Sequence, residues 1–163
     1  MFLYKKKYYF QKNYWIYITI IIFIITIDFY SKKWILNNLN IYEKQKIFLI
    51  LNIFHVHNFG AAFNILSDQG GWQKYFLSIF SIVIILIICS KIIKLKKIDK
   101  NKIYSYSMIL AGAIGNLIDR IYYGFVIDFI DLHIKHYHFP TFNIADCSIF
   151  FGMIILIKNS YSN

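Results

Sequence analysis

The most constraining feature of the sequence is a set of apolar runs about as long as a bilayer is thick. A membrane-spanning helix needs roughly 20 apolar residues, or about 17 where flanking aromatic and basic residues reach the interface. Four runs approach this length, at residues 14–30, 75–90, 103–118 and 144–157. The sequence therefore predicts an all-α membrane protein with four transmembrane helices, in a single domain over residues 1–163.

The composition agrees with a membrane protein and excludes several other classes. Hydrophobic residues make up 58% of the 163 residues and charged residues only 16%, which is too apolar for a soluble domain of this size. Two cysteines and seven glycines exclude a disulfide scaffold and collagen. The net charge is +10, but the lysines flank the apolar runs. We therefore expect membrane lipid, and no nucleic acid, as their partner.

The distribution of the 18 Lys and Arg residues predicts the orientation of the helices. Short loops rich in Lys stay in the cytoplasm. Both tails and the 91–102 loop hold most of these residues: Lys5, Lys6, Lys7, Lys12, Lys91, Lys94, Lys96, Lys97, Lys100, Lys102 and Lys158. We therefore predict cytoplasmic termini, with residues 31–73 and 119–142 outside. Residues 1–27 could alternatively be a secretory signal, but no small-x-small cleavage site follows, so we expect an uncleaved helix.

The first outer segment is more apolar than a linker needs to be. Residues 47–66 carry the run IFLILNIFHVHNFGAAFNIL, which partly alternates and is interrupted at Asn58 and Gly60. Such alternation, broken by turn residues, is typical of short strands joined by a turn. We therefore expect a small extracytoplasmic β-rich region lying over a site at the outer face.

Several acids lie close to the predicted helix ends, where a charge near hydrocarbon is costly. Asp28 precedes Lys32 by four residues, which favours an ion pair on one helix face. Asp146 follows Asn143 by three residues, so Asn143 could cap the fourth helix while the helix end favours the anion. Asp128, within GFVIDF, has no basic neighbour in the sequence. It is the acid least easily explained by structure alone.

Asp128 and Asp146 would form a reactive pair if the fold brought them together at the outer rim. Two adjacent carboxylates share one proton because like charges resist joint ionisation. The ionised carboxylate can then take a proton from water while the protonated one polarises a peptide carbonyl, which is aspartic peptidase chemistry. Spacing alone leaves ion conduction and helix packing open as alternatives.

Four strings make the hypothesis specific: HNFGAAF at 57–63, GAIGNLIDR at 112–120, GFVIDF at 124–129 and FNIADCSI at 142–149. In order and spacing they closely resemble the lipoprotein signal peptidase family, also called signal peptidase II. The resemblance implies a four-helix aspartic endopeptidase of the bacterial inner membrane. Its substrates would be prolipoproteins carrying a diacylglyceryl-modified Cys, cleaved just before that residue. The two catalytic aspartates fall on Asp128 and Asp146, and we expect a monomer without cofactor or metal.

Further positions carry over from the resemblance as substrate-binding or site-supporting residues. They are Asn58, Gly60, Asn116, Arg120, Asn143, Asp28 and Lys32. For Arg120, and for Asp119 beside it, the alternative is that they simply end the third helix. Phe29 departs from the family, which commonly has Gln there, so a polar role at that position is in doubt.

The five histidines suggest a metal site, but the pattern does not support one. Intramembrane zinc proteases use HExxH, and Glu43 is the only Glu and has no such histidines around it. We expect interfacial polar roles for the histidines instead. The alternative function is a small non-enzymatic transporter subunit or assembly factor. Inverted repeats or helices broken by Gly or Pro would favour it, and the sequence has neither.

Overall fold

A computed structural model of the chain describes residues 2–60, 70–94 and 99–161, with side chains from residue 15 onward. Residues 61–63, the AAF end of the first string, lie outside the described residues. The described residues form four helices and four strands in the order α1 (Phe2–Asn38), β1 (Lys44–Phe48), β2 (Leu51–Asn58), α2 (Gln73–Ile93), α3 (Lys100–Tyr122), β3 (Val126–Ile134), β4 (Tyr137–His138) and α4 (Ile144–Tyr161).

Three of these helices are long and apolar enough to cross a membrane. They are the Trp15–Asn38 part of α1, all of α2 and all of α4, and most of their side chains are exposed on the protein surface. Such apolar exposure on 18 or more helical residues suits contact with lipid. Within the described ranges α3 does not meet the same criterion, so a fourth span at 103–118 stays a prediction.

The weaker apolar character of α3 follows from its position among the other helices. It packs against α1, α2 and α4, so its small and polar residues face protein. Gly115 allows one of these close approaches, because a Cβ at this position would lie 2.7 Å from Asp28 Oδ2 on α1. On the other side, a Cβ on Gly152 of α4 would lie 2.8 Å from the Ile109 side chain of α3. α3 is therefore the central helix of the bundle.

The first helix is longer than the predicted span at 14–30. It continues as one helix to Asn38, so the segment predicted as loop from residue 31 begins as helix. The polar residues 31–33 suggested an end, but Lys32 is buried and ion-paired within the bundle. Beyond it, Ile35 and Leu39 are buried against the sheet, which gives the extra helical turns an apolar surface to cover.

The strands form one antiparallel sheet in the order β1, β2, β3, β4, as the alternating outer segment suggested for its first two strands. β2 contains one extra residue relative to β3, because Ile53 pairs with Ile130 whereas Val56 pairs with Asp128. Directly paired and diagonal residues share a face of the sheet. The bulge therefore brings Asn58, at the end of β2, to the same face as Asp128.

The opposite face of the sheet packs against the C-terminal part of α1. Ile127 and Phe129 of β3 form a buried apolar cluster with Ile35 and Leu39. His57 pairs with Ile127 across the strands, so its side chain belongs to this face. One face of β3 thus secures the sheet to the bundle while the other carries Asp128.

Candidate active site

Asp128 is buried in β3 and is held by two side-chain amides. Its side chain is 2% exposed. Asn58 Nδ2 donates to Asp128 Oδ2 at 2.9 Å, and Asn143 Nδ2 donates to Asp128 Oδ1 at 2.7 Å. The carboxyl without a basic neighbour in sequence is therefore positioned by neutral donors from β2 and from the start of α4.

Asp146 lies in the first turn of α4 and is held by Asn116 and Asn143. Its Oδ1 accepts from Asn116 Nδ2 at 2.7 Å, and its Oδ2 accepts from the Asn143 backbone N–H at 3.3 Å. The Asp146 N–H donates in return to Asn143 Oδ1 at 2.9 Å, which is a reciprocal helix cap. The predicted cap is confirmed, and Asn143 contacts both Asp128 and Asp146.

The orientation of all three amides is dictated by donors that occupy their oxygens. Asn58 Oδ1 accepts from the Gly60 N–H at 2.9 Å, and Asn116 Oδ1 accepts from Lys32 Nζ at 3.1 Å. The oxygen of Asn143 is taken by the α4 backbone. Since an ammonium or a backbone N–H can only donate, each amide must present its NH₂ group to a carboxylate.

Lys32, which donates to Asn116, also bridges two further acids. Its Nζ is 2.7 Å from Asp28 Oδ2 and 2.8 Å from Asp119 Oδ2, so the predicted ion pair of Asp28 and Lys32 is confirmed. With the oxygen of Asn116, these contacts use all three N–H bonds of the ammonium. Lys32 therefore has no donor left for a direct contact with Asp128 or Asp146.

The two acids bound to Lys32 also hold backbone groups next to the site. Asp28 Oδ1 accepts from the Ala145 N–H at 2.8 Å, and Asp119 Oδ2 accepts from the Ile127 N–H at 3.3 Å. Each of these N–H groups belongs to the residue immediately before one of the two central carboxylates. The buried ion cluster thus fixes the main chain at both positions.

Arg120 extends from the end of α3 toward the end of β2. Its Nη2 donates to the Gly60 carbonyl at 3.2 Å, and Gly60 in turn donates to Asn58. Arg120 therefore braces the strand end that carries one of the three amides. This contact is more than the simple helix end that was the alternative for Arg120, and the ion pair of Asp119 excludes the same alternative for that residue.

Burial changes the protonation of Asp128. Loss of hydration, and after it the negative charge of Asp146, raises the pKa of the Asp128 carboxyl to about 7. Hydrogen bonds from Asn58 and Asn143, and the charge of Lys32, act in the opposite direction but only in part. Near neutral pH the site therefore holds a proton that an ordinary pair of exposed carboxylates would have lost.

The histidines do not form a metal site in the part of the chain that the structure describes, where no three His, Cys, Asp or Glu side chains could hold an ion together. His55 does not face solvent or lipid, since it is 3% exposed. Its ring binds the Leu39 carbonyl and His57 instead.

Comparisons with known proteins agree with this arrangement. A family model described as signal peptidase (SPase) II matches residues 20–162. The chain belongs to the signal peptidase II family. It is therefore a protease of lipoprotein processing, and the transporter or assembly-factor alternative is not supported.

Relatives of this family cover nearly the whole chain. A lipoprotein signal peptidase from Buchnera aphidicola of Schizaphis graminum is 78% identical over 94% of this chain and 98% of its own length. One from Pasteurella multocida is 40% identical over 84% of this chain and 83% of its own length. A solved structure described as a bacterial membrane enzyme superposes with a TM-score of 0.82, at 35% identity, covering 90% of this chain and 87% of that one.

The structure brings together every site residue that the sequence suggested. It links them through the contacts above into one polar cluster of Asp128, Asp146, Asn58, Gly60, Asn116, Arg120, Asn143, Asp28 and Lys32. Sequence reasoning missed Asp119 and Gly115. Both lie inside the GAIGNLIDR string, so their place in that string was the available signal.

Proposed function

We propose that the chain is an aspartic endopeptidase in which Asp128 and Asp146 share one proton and together activate water. The observation that carries this proposal is the set of three asparagines that turn their NH₂ groups toward these two carboxylates. Such fixed donors hold the reacting groups in place before the substrate arrives.

The chemistry needs one ionised and one protonated carboxyl. The ionised carboxylate takes a proton from a water molecule as the water oxygen attacks the scissile carbonyl carbon. The protonated carboxyl donates to the carbonyl oxygen, which gives a tetrahedral diol. Collapse of the diol breaks the C–N bond, and a proton from the pair goes to the leaving amine. The proton belongs to the pair rather than to Asp128 or Asp146 alone.

The substrate follows from family membership and from the apolar surface of the helices. The curated relatives carry the name lipoprotein signal peptidase. We infer that this chain removes signal peptides from diacylglyceryl-modified prolipoproteins, cutting just before the lipidated Cys. The apolar, outward-facing side chains of α1, α2 and α4 would contact the signal peptide and the acyl chains of the substrate as well as membrane lipid.

The same proposal includes the membrane arrangement. We infer that all four helices span the bacterial inner membrane, with α3 inside the bundle. Both termini would be cytoplasmic, and the sheet and the pair of aspartates would face the extracytoplasmic side. We also infer that the active unit is the monomer.

Substitution of the two aspartates tests the mechanism. Asp128→Asn and Asp146→Asn keep the side-chain shape but remove an ionisable group, so each should abolish cleavage of a lipidated precursor. The double variant should be no worse than either single one, because the pair works as a unit. Turnover is measured as conversion of purified precursor by full-length protein in micelles.

Asp131→Asn is the matched control. Asp131 lies in β3 three residues from Asp128, is equally buried, and bonds Asn52, Lys44 and His138 away from the polar cluster. It should retain most of the turnover. Substantial cleavage by either Asp128→Asn or Asp146→Asn, in protein that is still folded, would refute the aspartic mechanism.

A further inference from the structure

His55 and His57 form a hydrogen-bonded pair that begins at the end of α1 and ends beside Asn58. His55 Nδ1 lies 3.0 Å from the Leu39 carbonyl. His57 Nε2 lies 3.1 Å from His55 Nε2. The mechanism proposed above does not use either ring, yet both lie in β2 within three residues of an amide that contacts Asp128.

The partners fix which nitrogen carries the proton in each ring. The Leu39 carbonyl can only accept, so neutral His55 carries its proton on Nδ1 and has a lone pair on Nε2. His57 must then donate from its own Nε2. The chain of hydrogen bonds thus has one direction, from His57 through His55 to the α1 carbonyl.

The two rings can meet because residues two apart in a strand lie on the same face of the sheet. His55 falls within the interval between Ile53 and Val56 where the register shifts, and it is 3% exposed. His57 lies beyond the bulge, on the face of the sheet that packs against α1. Its ring also stacks on Phe125, with centroids 3.8 Å apart and planes 17° from parallel.

This arrangement controls the position of Asn58. Successive residues of a strand point to opposite faces, so a fixed His57 on one face sets the direction of Asn58 on the other, toward Asp128 Oδ2. We propose that His55 and His57 are positioning residues, which hold Asn58 against Asp128 as long as the pair is neutral. This inference rests on the proposed function for its effect on rate, but its geometry does not.

Protonation of His55 on Nε2 would break the hydrogen bond between His55 and His57. A proton on His55 Nε2 faces the N–H of His57 and removes the acceptor. Burial, and after it the proximity of His55, lowers the pKa of His57, which favours the neutral form of the His57 ring.

The surrounding charged groups have other partners. Glu43 accepts from Asn40, Lys44 pairs with Asp131, and Asp128 is bound by amides on the opposite face of the sheet. Neither Leu39 nor Phe125, the other direct contacts of the pair, can titrate. Tyr42 donates its backbone N–H to the His55 carbonyl, and Tyr123 stacks on Phe125.

Two substitutions at position 57 separate the effect of the hydrogen bond to His55 from the effect of the ring stack on Phe125. His57→Gln places an amide N–H where Nε2 was, and His57→Phe keeps the stack on Phe125 but has no donor. The turnover number kcat of His57→Phe should fall roughly 2- to 10-fold below that of His57→Gln, the loss of about one hydrogen bond. KM should be nearly the same in both variants. Equal kcat values for the two variants would overturn the proposal.

Nitrogen-15 spectra of the full-length protein in micelles test the geometry without any activity. At neutral pH they should show His55 protonated on Nδ1 and His57 on Nε2, and His55 protonated on Nε2 would refute the inference. His55→Asn, which retains a donor for the Leu39 carbonyl, should remove one acid-side step from the pH profile of kcat. If Asp128→Asn still cleaves, the proposed function fails while the expected spectra are unaffected.

Discussion

Removal of the Lys32 ammonium should be among the most damaging single changes in the chain. Lys32 is 2% exposed, and Asp28 and Asp119 are 2% and 4% exposed. Lys32→Met keeps the length of the side chain but leaves two carboxylates facing each other with no cation between them. Asn116 loses the donor that orients its amide at the same time.

The expected loss follows from the burial of these groups. Removal of one partner of a buried ion pair typically costs about 3–5 kcal/mol, because an uncompensated charge stays behind. Both carboxylates share one cation, so the two contacts are not counted separately. The triple variant Lys32→Met, Asp28→Asn, Asp119→Asn leaves no buried charge at this point and should recover most of the loss.

The free energy of unfolding is measured by denaturant titration in mixed micelles, followed by tryptophan fluorescence. Lys33→Met is the matched control, since Lys33 is the next residue and is exposed, and it should stay within about 0.5 kcal/mol of the parent. A loss below about 1 kcal/mol for Lys32→Met, or a triple variant no more stable than the single one, would refute the role assigned to the buried cation.

Three other predictions concern pH, packing and topology. Cleavage should slow as pH rises through about 7, the raised pKa of Asp128, because the pair of Asp128 and Asp146 then loses its shared proton. The folded state also binds this extra proton between about pH 4 and 7, so stability should fall as pH rises across that window. A cleavage rate that stays flat to about pH 9 would contradict the shared proton. Gly115→Ala should cost about 1–3 kcal/mol, because its Cβ would meet Asp28 Oδ2 at 2.7 Å, whereas Ile118→Ala, on an exposed part of α3, should be close to neutral in the same titration. Reporter fusions after Lys97 and Ser162 should be cytoplasmic and those near Asn40 and His136 external; a fusion at Lys97 that reports outside would invert the orientation.

The helices were predictable because each depends on a local pattern. An apolar run of about bilayer length identifies a span whatever surrounds it, and three of the four predicted spans lie in helices that meet this criterion. The ends were less predictable. Residues 31–38 extend α1 because Ile35 and Leu39 pack against apolar residues of β3. This strand is some 90 residues away along the chain, so no local pattern near residue 35 predicts the contact.

The candidate site was likewise predictable only in part from the sequence. Family strings pointed to the residues of the polar cluster, and the spacing of Asp28 and Lys32 and of Asn143 and Asp146 gave two contacts directly. The second acid on Lys32 could not be found from spacing, since Asp119 reaches it only through the packing of α3 on α1. The bulge in β2 was equally hidden, because register depends on which strand lies alongside.

The order of the elements along the chain also limits when the protein can become active. Asn58, Asn116 and Asp128 come earlier in the chain than Asn143, which caps α4, and Asp146, which lies in its first turn. A ribosome releases these last two groups after everything else in the site has been synthesised. On the mechanism proposed above, the nascent chain lacks one of its two catalytic acids until the start of α4 has been synthesised and packs against α3, and it cannot cleave before then. Truncation before Asn143 should yield an inserted but inert protein.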